Sequence, residues 1–240
     1  MNILLVRPPR RDKTDAGLSV PPLGLAYIAA VVREAGHSVS ILDAYATNMG
    51  WQKFGDFIRR ARPDVLGLSA MTPVADVAAR AIDIARPFVD KIVIGGPHPT
   101  AVGNAIFDEM PALDAAVIGE GENVIVPLLD WWAGGLQGTP PPGVRVHDAP
   151  YEAATAPNPS KLPRPARDLL PNHAYRYLFA TRRGFSTMIS SRGCPFRCSF
   201  CDKSVGGSRW RAREPADVVD EMVEIHQRYG VGFINFYDDN

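Results

Sequence analysis

The strongest constraint on the fold is a regular alternation of short β-branched runs and longer amphipathic runs over residues 2–133. Strands are predicted at Ile3–Val6, Ser38–Leu42, Val65–Ser69, Lys91–Ile94 and Ala115–Ile118. Helices are predicted at Pro22–Ala35, Trp51–Ala61, Val74–Phe88, Ala101–Met110 and Asn123–Ala133. This alternation is typical of repeated βα units around a parallel sheet. We therefore expect an α/β fold with a doubly wound parallel sheet.

The rest of the chain divides into two further parts. Glycines and prolines interrupt the periodicity from Gly134 to Pro171, which indicates an interdomain connection. The predicted organisation is an α/β domain over 1–135, a proline-rich connection over 136–183, and the first part of a second domain over 184–240. Proline lowers the entropy cost of ordering, so the sequence leaves open whether the connection packs as an ordered strap or floats.

The second domain is predicted as a single βαβ unit. A strand at Phe185–Ser190 leads into a loop that contains the cysteines, a helix covers Pro215–Tyr229, and a strand follows at Phe233–Tyr237. A parallel sheet of two strands has an open edge and is not stable alone. We therefore expect these residues to begin a (β/α) barrel, and the sequence to be a piece of a longer protein.

The composition argues against several kinds of partner. Apolar residues make up 46% of the chain and charged residues 22%, as in ordinary globular proteins. Lys plus Arg and Asp plus Glu both number 26, which removes the net field that nucleic-acid and anionic-membrane binders carry. No signal peptide and no apolar run of roughly 20 residues is present. We expect a cytoplasmic protein with neither nucleic acid nor a membrane as partner.

The cysteines, Cys194, Cys198 and Cys201, lie together in one loop. An odd number of closely spaced thiols is not a disulfide framework, and in a reducing cytosol such a cluster more often binds metal. Thiolates suit iron-sulfur clusters or zinc. Three thiolates on a four-iron cluster leave one iron free to hold a substrate. Zinc is the weaker alternative, because no histidine lies between His173 and His226 as a nearby fourth ligand.

The spacing C-x3-C-x2-C, after a strand and Gly193, resembles the radical S-adenosylmethionine (SAM) superfamily. The resemblance implies a [4Fe-4S] cluster on the three cysteines, whose open iron binds SAM, and reductive cleavage of SAM to a 5′-deoxyadenosyl radical. Phe200 matches the aromatic position beside the adenine; a phenylalanine that only packs the loop is the alternative.

Three further residues are assigned to SAM through the same resemblance. Arg213 is expected to contact the SAM carboxylate, or else to be a solvated charge at a helix start. Asp238 and Asp239 follow the last strand, where family members receive the SAM amino group, often with Gly-Gly-Glu. This chain has Asp-Asp-Asn instead, so the sequence does not decide which carboxylate makes the contact or whether both are merely solvated.

The loops at the carboxyl ends of the first-domain strands are the expected ligand site of a doubly wound sheet. They lack Gly-x-Gly-x-x-Gly, which makes plain nicotinamide binding unfavourable. The segment 2–133 resembles the Rossmann- or flavodoxin-like cobalamin-binding domain that precedes the barrel in a radical SAM subgroup. The resemblance assigns Ser69, Thr72, Gly95, Gly96, Gly119 and Glu120 to cobalamin. Helix capping by Thr72 and a tight turn at Gly95-Gly96 are the alternatives.

The cobalt ligand of a related branch is absent from this sequence. The methionine-synthase branch carries Asp-x-His-x-x-Gly after the first strand, but residues 7–22 contain no histidine. His98 follows the fourth strand and does not match the ligand position. We therefore expect the lower axial position of bound cobalamin to be open or held by water.

The combined resemblance favours a cobalamin-dependent radical SAM enzyme, most simply a methyltransferase acting at an unactivated carbon or phosphorus centre. One alternative keeps both cofactors without methyl transfer, as in anaerobic tetrapyrrole cyclases and ring-rearranging enzymes. Another is a cofactor-binding fragment without catalysis of its own. The implied partners are a small-molecule substrate and an electron donor such as flavodoxin or ferredoxin.

Overall fold

The computed structural model describes residues 1–12, 19–177 and 184–240, and within them it forms a mixed six-stranded sheet, a smaller parallel pair and a short antiparallel pair. The first sheet contains β1 (Asn2–Arg7), β2 (Ser38–Asp43), β3 (Val65–Ser69), β4 (Lys91–Gly95), β5 (Ala115–Val117) and β6 (Val144–Arg145). Its helices are α1 (Leu23–Glu34), α2 (Trp51–Ala61), α3 (Ala75–Ala85), α4 (Pro97–Val102), α5 (Ile106–Glu109) and α6 (Ile125–Ala133). Short 3-10 turns cover Thr72–Val74, Arg86–Phe88, Gly103–Ala105, Pro159–Lys161, Arg167–Leu169 and Asn172–Ala174.

The strand order of the first sheet is β2-β1-β3-β4-β5-β6, with all neighbours parallel except the β5–β6 pair. The order reverses between β1 and β3, so the carboxyl ends of these two strands border the crevice where such folds bind ligands. The predicted α/β class and parallel core are confirmed. The antiparallel strand β6 was not predicted, since it lies in the proline-rich run.

Apolar side chains pack on both faces of the sheet. Leu4, Leu66 and Ile92 face one cluster, which α2 and α3 cover. Leu5 and Val93 face the other, which α1 and α6 cover. Successive residues of a strand point to opposite faces, so strands buried on both sides read as nearly continuous apolar runs.

The region after β4 is where the predicted helix boundaries fail. We expected a helix over Ala101–Met110, but α4 begins at Pro97 and a turn at Gly103–Ala105 separates it from α5. Proline is acceptable in the first helical turn, where its missing N–H has no intrahelical partner to lose. The Gly-Pro-His-Pro segment therefore starts a helix instead of forming only a loop.

The described part of the proline-rich connection packs as an ordered strap. The hydroxyl of Tyr175 donates to the Asp43 carboxylate at 3.0 Å, and burial raises the pKa of that carboxyl. Arg167 donates to the carbonyl of Thr187 at 2.7 Å, so the strap touches both units. Residues 178–183, where we predicted the end of the connection, lie outside the described residues.

The second unit contains β7 (Phe185–Met188), β8 (Ser191–Arg192), β9 (Arg211–Ala212), α7 (Pro215–Tyr229) and β10 (Phe233–Phe236). Strands β7 and β10 pair in parallel, which confirms the predicted βαβ unit, and β8 pairs with β9 antiparallel at the base of the cysteine loop. Among the described residues, no helix is long and apolar enough to cross a membrane.

Candidate functional site

A cavity of about 410 Å³ opens at the carboxyl ends of the first-sheet strands and extends to the second unit. The first unit contributes apolar side chains and glycines, including Leu5, Leu25, Ile28, Val93, Val117 and Ile125. The second unit contributes Ile189, Ser191, Arg192, Val205, Gly206, Tyr237 and Asp239. We call this space the shared cavity. It brings the loops that we assigned to cobalamin next to those that we assigned to the iron-sulfur cluster and SAM.

Glycines form much of the wall of the shared cavity. Gly96 has a φ of +99°, and a Cβ there would lie 2.7 Å from the Ser69 Oγ. A Cβ on Gly67 would lie 2.7 Å from Leu5 Cδ2, whereas one on Gly24 would meet nothing within 4 Å. Protein atoms therefore occupy the Cβ positions of Gly67 and Gly96, whereas the space beside Gly24 is open, and there a ligand can approach the backbone closely. These apolar and glycine surfaces fit the flat base of a nucleotide tail.

The other residues predicted to contact cobalamin separate into two groups. Ser69, Gly95, Gly96, Gly119 and Glu120 all line the shared cavity. Thr72 is absent from its described lining, and its Oγ1 lies 3.3 Å from His98 Nδ1. This placement does not support the predicted contact between Thr72 and the nucleotide tail.

His98 is a buried histidine whose ring nitrogens both have protein partners. Its Nε2 lies 2.8 Å from the Glu109 carboxylate, and its side chain is 4% exposed. Thr72 occupies the other side of the ring, and His98 is not among the described residues that line the shared cavity. The structure therefore offers no support for His98 as a cobalt ligand.

A buried ion-pair network joins the loop after β5 to the base of the cysteine loop. Arg192 donates to Glu120 at 2.8 Å and to Glu122 at 2.7 Å, and Arg211 also pairs with Glu120. Burial acts to lower the pKa of Arg192, but the attraction of Glu122 and Glu120 is stronger and raises it above its ordinary value. We call Glu120, Glu122, Arg192 and Arg211 the interdomain network. Glu120 thus has protein partners at the position predicted for cobalamin contact.

Asp238 and Asp239 hold the backbone just before the cysteines. Asp238 accepts from the backbone N–H groups of Ser190 at 2.7 Å and Ser191 at 3.2 Å, and from both serine hydroxyls. Asp239 accepts from the Gly193 N–H at 2.6 Å and also lines the shared cavity. Of the two carboxylates, Asp239 is therefore the one beside open space.

The cysteine loop is more exposed than the strands that carry it. Cys198 and Cys201 are exposed, Cys194 is half-buried, and Phe200 is 91% exposed. All three thiols are free, and as soft donors they suit an iron-sulfur cluster. Within the described residues, no three His, Cys, Asp or Glu side chains converge on one metal position. The donor chemistry therefore fits the cluster, while the loop geometry is not that of a closed metal site.

Arg213 lies in a buried cluster beneath the cysteine loop. Its guanidinium pairs with Glu221 and with Asp217, at 2.6 Å for the latter, and it donates to the Ile189 carbonyl at 2.9 Å. The side chain is 4% exposed and is not among the described residues that line the shared cavity. The predicted contact with the SAM carboxylate therefore has no support, and the alternative of a solvated charge is wrong.

Several site residues were missed by sequence reasoning. Tyr27, Glu122, Arg192 and Val205 all line the shared cavity. The repeated glutamates of the Gly-Glu-Gly-Glu loop and the arginine before Gly193 were weak signals for an ion pair. Nothing in the sequence indicated that Arg192 and Glu122, 70 residues apart, would meet.

Comparisons with known proteins agree with this arrangement. Residues 13–129 match the B12 binding domain family and residues 188–240 match the Radical SAM superfamily. An uncharacterized methyltransferase of Pyrococcus horikoshii is 35% identical over 249 residues, which cover 100% of this chain and 53% of that protein. An anaerobic magnesium-protoporphyrin IX monomethyl ester cyclase of Cereibacter sphaeroides is 30% identical over 235 residues, covering 92% and 38%.

A solved structure is similar over the whole chain. The cobalamin-dependent SAM radical enzyme OxsB, with aqua-cobalamin and SAM bound, superposes with a TM-score of 0.83 at 19% identity, and the match covers 100% of this chain and 34% of that one. The class defined by fold and site is thus an α/β domain joined to a cysteine-bearing βα unit. The chain belongs to the radical SAM proteins that carry a B12 binding domain. It spans about half or less of the length of these relatives.

Proposed function

We propose that the protein is a cobalamin-dependent radical SAM enzyme, most simply a methyltransferase acting on a small molecule at an unactivated carbon or phosphorus centre. The observation that carries the proposal is the shared cavity, since residues of both units line one space. The resemblance of each unit to a different cofactor domain adds support. An electron donor such as flavodoxin or ferredoxin belongs to the same proposal.

Each unit of the protein has its own part in this proposal. The thiolates of Cys194, Cys198 and Cys201 would hold a [4Fe-4S] cluster, which supplies the electron that cleaves SAM. The glycine-lined wall around Gly95 and Gly96 would hold cobalamin, which supplies the methyl group. Asp239, beside the shared cavity, would accept a hydrogen bond from the SAM amino group. The apolar lining would keep water from the reacting atoms.

Asp238 has a positioning role in this scheme. Its carboxylate accepts four hydrogen bonds from Ser190 and Ser191, so its lone pairs are already in use by the turn that precedes the cysteines. We expect Asp238 to fix that turn. Phe200 would pack beside the adenine of SAM when the exposed loop closes over it.

A second function is favoured by one specific comparison. The 30% identical relative from Cereibacter sphaeroides is named as a cyclase, and the chain covers 38% of it. A cyclase would use the same two cofactor sites without net methyl transfer. The two functions therefore differ in their products and not in the residues that bind the cofactors.

The test is an anaerobic incubation of the iron-reconstituted protein with dithionite, SAM and hydroxocobalamin, followed by chromatography of the SAM products. Methyl transfer predicts 5′-deoxyadenosine together with S-adenosylhomocysteine, whereas the cyclase predicts 5′-deoxyadenosine alone. Cys198→Ala should abolish 5′-deoxyadenosine, while Cys198→Ala and wild type should bind cobalamin equally. Reconstitution that yields zinc or no iron would overturn the proposal.

A further inference from the structure

Tyr27 of α1 is a buried side chain with an unused polar group. The residue is 4% exposed and lines the shared cavity. Within residues 1–12, 19–177 and 184–240, its hydroxyl makes no hydrogen bond. The hydroxyl oxygen is not fully enclosed by protein atoms, which places it at the cavity surface. A buried phenol normally finds a hydrogen-bond partner, so this group indicates a place for a ligand atom.

Tyr175 provides the contrast within the same molecule. It is 2% exposed, and its hydroxyl donates to the Asp43 carboxylate at 3.0 Å. Tyr175 does not line the shared cavity among the described residues. The two phenols are therefore equally buried, but one is satisfied by the protein and the other faces open space.

The ring of Tyr27 is held in place from the second unit. The guanidinium carbon of Arg192 lies 4.9 Å from the centre of the ring. Glu120 and Glu122 fix Arg192 in turn, at 2.8 and 2.7 Å. The interdomain network therefore restrains the ring before any ligand binds, which reduces the entropy cost of binding.

The hydroxyl keeps its proton over the working pH range. Burial raises the pKa of Tyr27 to about 12, and Glu221 adds to this effect, while Arg213, Arg192 and Arg167 oppose it. Tyr27 is thus a hydrogen-bond donor at neutral pH, and its natural partner is a ligand oxygen.

We propose that the Tyr27 hydroxyl donates a hydrogen bond to an oxygen of cobalamin bound in the shared cavity. Cobalamin carries amide carbonyl oxygens and, in its nucleotide tail, phosphate and ribose oxygens. Gly24, Leu25 and Ile28 of the same helix line the cavity together with Tyr27, and all four lie in the segment that matches the B12 binding domain, which is why cobalamin is the ligand we assign. This inference rests on the proposed function.

The test is a titration of hydroxocobalamin into the protein, followed by equilibrium dialysis, for wild type, Tyr27→Phe and Tyr175→Phe. Tyr27→Phe keeps the ring on which Arg192 stacks and should raise the Kd about tenfold, the value of one hydrogen bond, without lowering the Tm of the cobalamin-free protein. Tyr175→Phe should lower the Tm and leave the Kd unchanged.

A parallel titration with cobinamide, which lacks the nucleotide tail, identifies the acceptor oxygen. If Tyr27→Phe does not change the Kd of cobinamide, the acceptor lies in the tail. If Tyr27→Phe raises the Kd of cobinamide by a similar factor, the acceptor is an amide oxygen.

The two proposals fail in different ways. No cobalamin binding by the wild type would overturn the proposed function itself. Equal cobalamin Kd values for wild type and Tyr27→Phe would overturn the role of Tyr27 alone. So would a Tyr27→Phe protein that binds SAM more weakly than the wild type but binds cobalamin equally well. Tyr27→Trp, which also lacks the phenol, serves as the second variant and should weaken binding at least as much.

Discussion

The first sheet and the smaller β7–β10 sheet have different interiors. The first sheet lies between two large apolar clusters, around residues such as Leu66 and Val93. The second sheet packs against two smaller apolar clusters, one with α7 and one with α1 and the strap, and beside it lies a buried triad of Arg167, Glu221 and Arg213. We therefore expect a larger contribution of matched charge to stability in the second unit than in the first. The loop that carries the cysteines is built on the charged unit.

Among the changes that compare the two interiors, we expect Glu221→Gln to lower the free energy of unfolding most. This change leaves Arg167 and Arg213, with side chains 5% and 4% exposed, without their shared carboxylate. Loss of one partner from a buried ion pair costs about 3–5 kcal/mol. We expect a loss of that size in the free energy of unfolding, measured by urea denaturation.

Glu224→Gln is the matched control on the same helix. Its carboxylate pairs with Arg164 at 2.6 Å, but both side chains are about a third exposed, at 32% and 38%. Surface pairs contribute about 0–1 kcal/mol. Equal losses for Glu221→Gln and Glu224→Gln would contradict the difference between the buried triad and the surface.

A smaller effect is expected in the apolar interior. Leu66→Met nearly conserves the volume of a side chain that is 0% exposed. Such replacements usually cost less than about 1.5 kcal/mol. Urea denaturation of Leu66→Met should therefore show less destabilisation than Glu221→Gln, although both positions are fully buried. If Leu66→Met lost more unfolding free energy than Glu221→Gln, the proposed difference between the apolar interior and the charged interior would be contradicted.

The smallest effect concerns Tyr27, at the boundary between the two units. Its pKa is about 12 in the folded protein and 10.0 when unperturbed, so the unfolded state releases this proton first as the pH rises. The wild type should therefore lose stability relative to Tyr27→Phe between pH 10 and 12, by about 1 kcal/mol at pH 11, and not below pH 9. Paired urea denaturations at pH 9 and 11 measure this; parallel pH curves for both proteins would contradict the burial of the phenol.

Much of the fold could be predicted because it follows from local patterns. The β-branched runs predicted β1 to β5 within a residue or two at each end. The amphipathic runs predicted α2 and α7 at their observed bounds. The start of α4 was missed because proline and glycine around Pro97 also fit a turn. Strand β6 was missed because two residues carry no periodicity.

The site residues likewise divide into those that a local motif predicts and those that depend on distant contacts. The cysteines and the loop glycines are recognisable from spacing and residue type, since each lies in a short local motif. The interdomain network and the buried triad depend on pairs such as Arg192 and Glu120, 72 residues apart, or Arg167 and Glu221, 54 apart. Charge patterns in a sequence do not reveal which distant partners meet, so neither the interdomain network nor the buried triad was predicted.

The central claim is that cobalamin occupies the shared cavity, and Gly24→Leu tests it most directly. Gly24 lines the cavity, and a Cβ there meets nothing within 4 Å, so the added side chain enters the open space. Leucine also favours the helix more than glycine does, so the fold should not lose stability. Gly50→Leu is the control, since its Cβ also meets nothing, its φ is −78°, and it lies outside the described cavity lining.

The measurement is the Kd of hydroxocobalamin for the wild type and the two variants. We predict that Gly24→Leu weakens binding by about tenfold or more, since overfilling a packed site costs about 1–3 kcal/mol, while Gly50→Leu binds as the wild type does. Equal Kd values for all three proteins, with cobalamin bound, would contradict the assignment of cobalamin to this cavity.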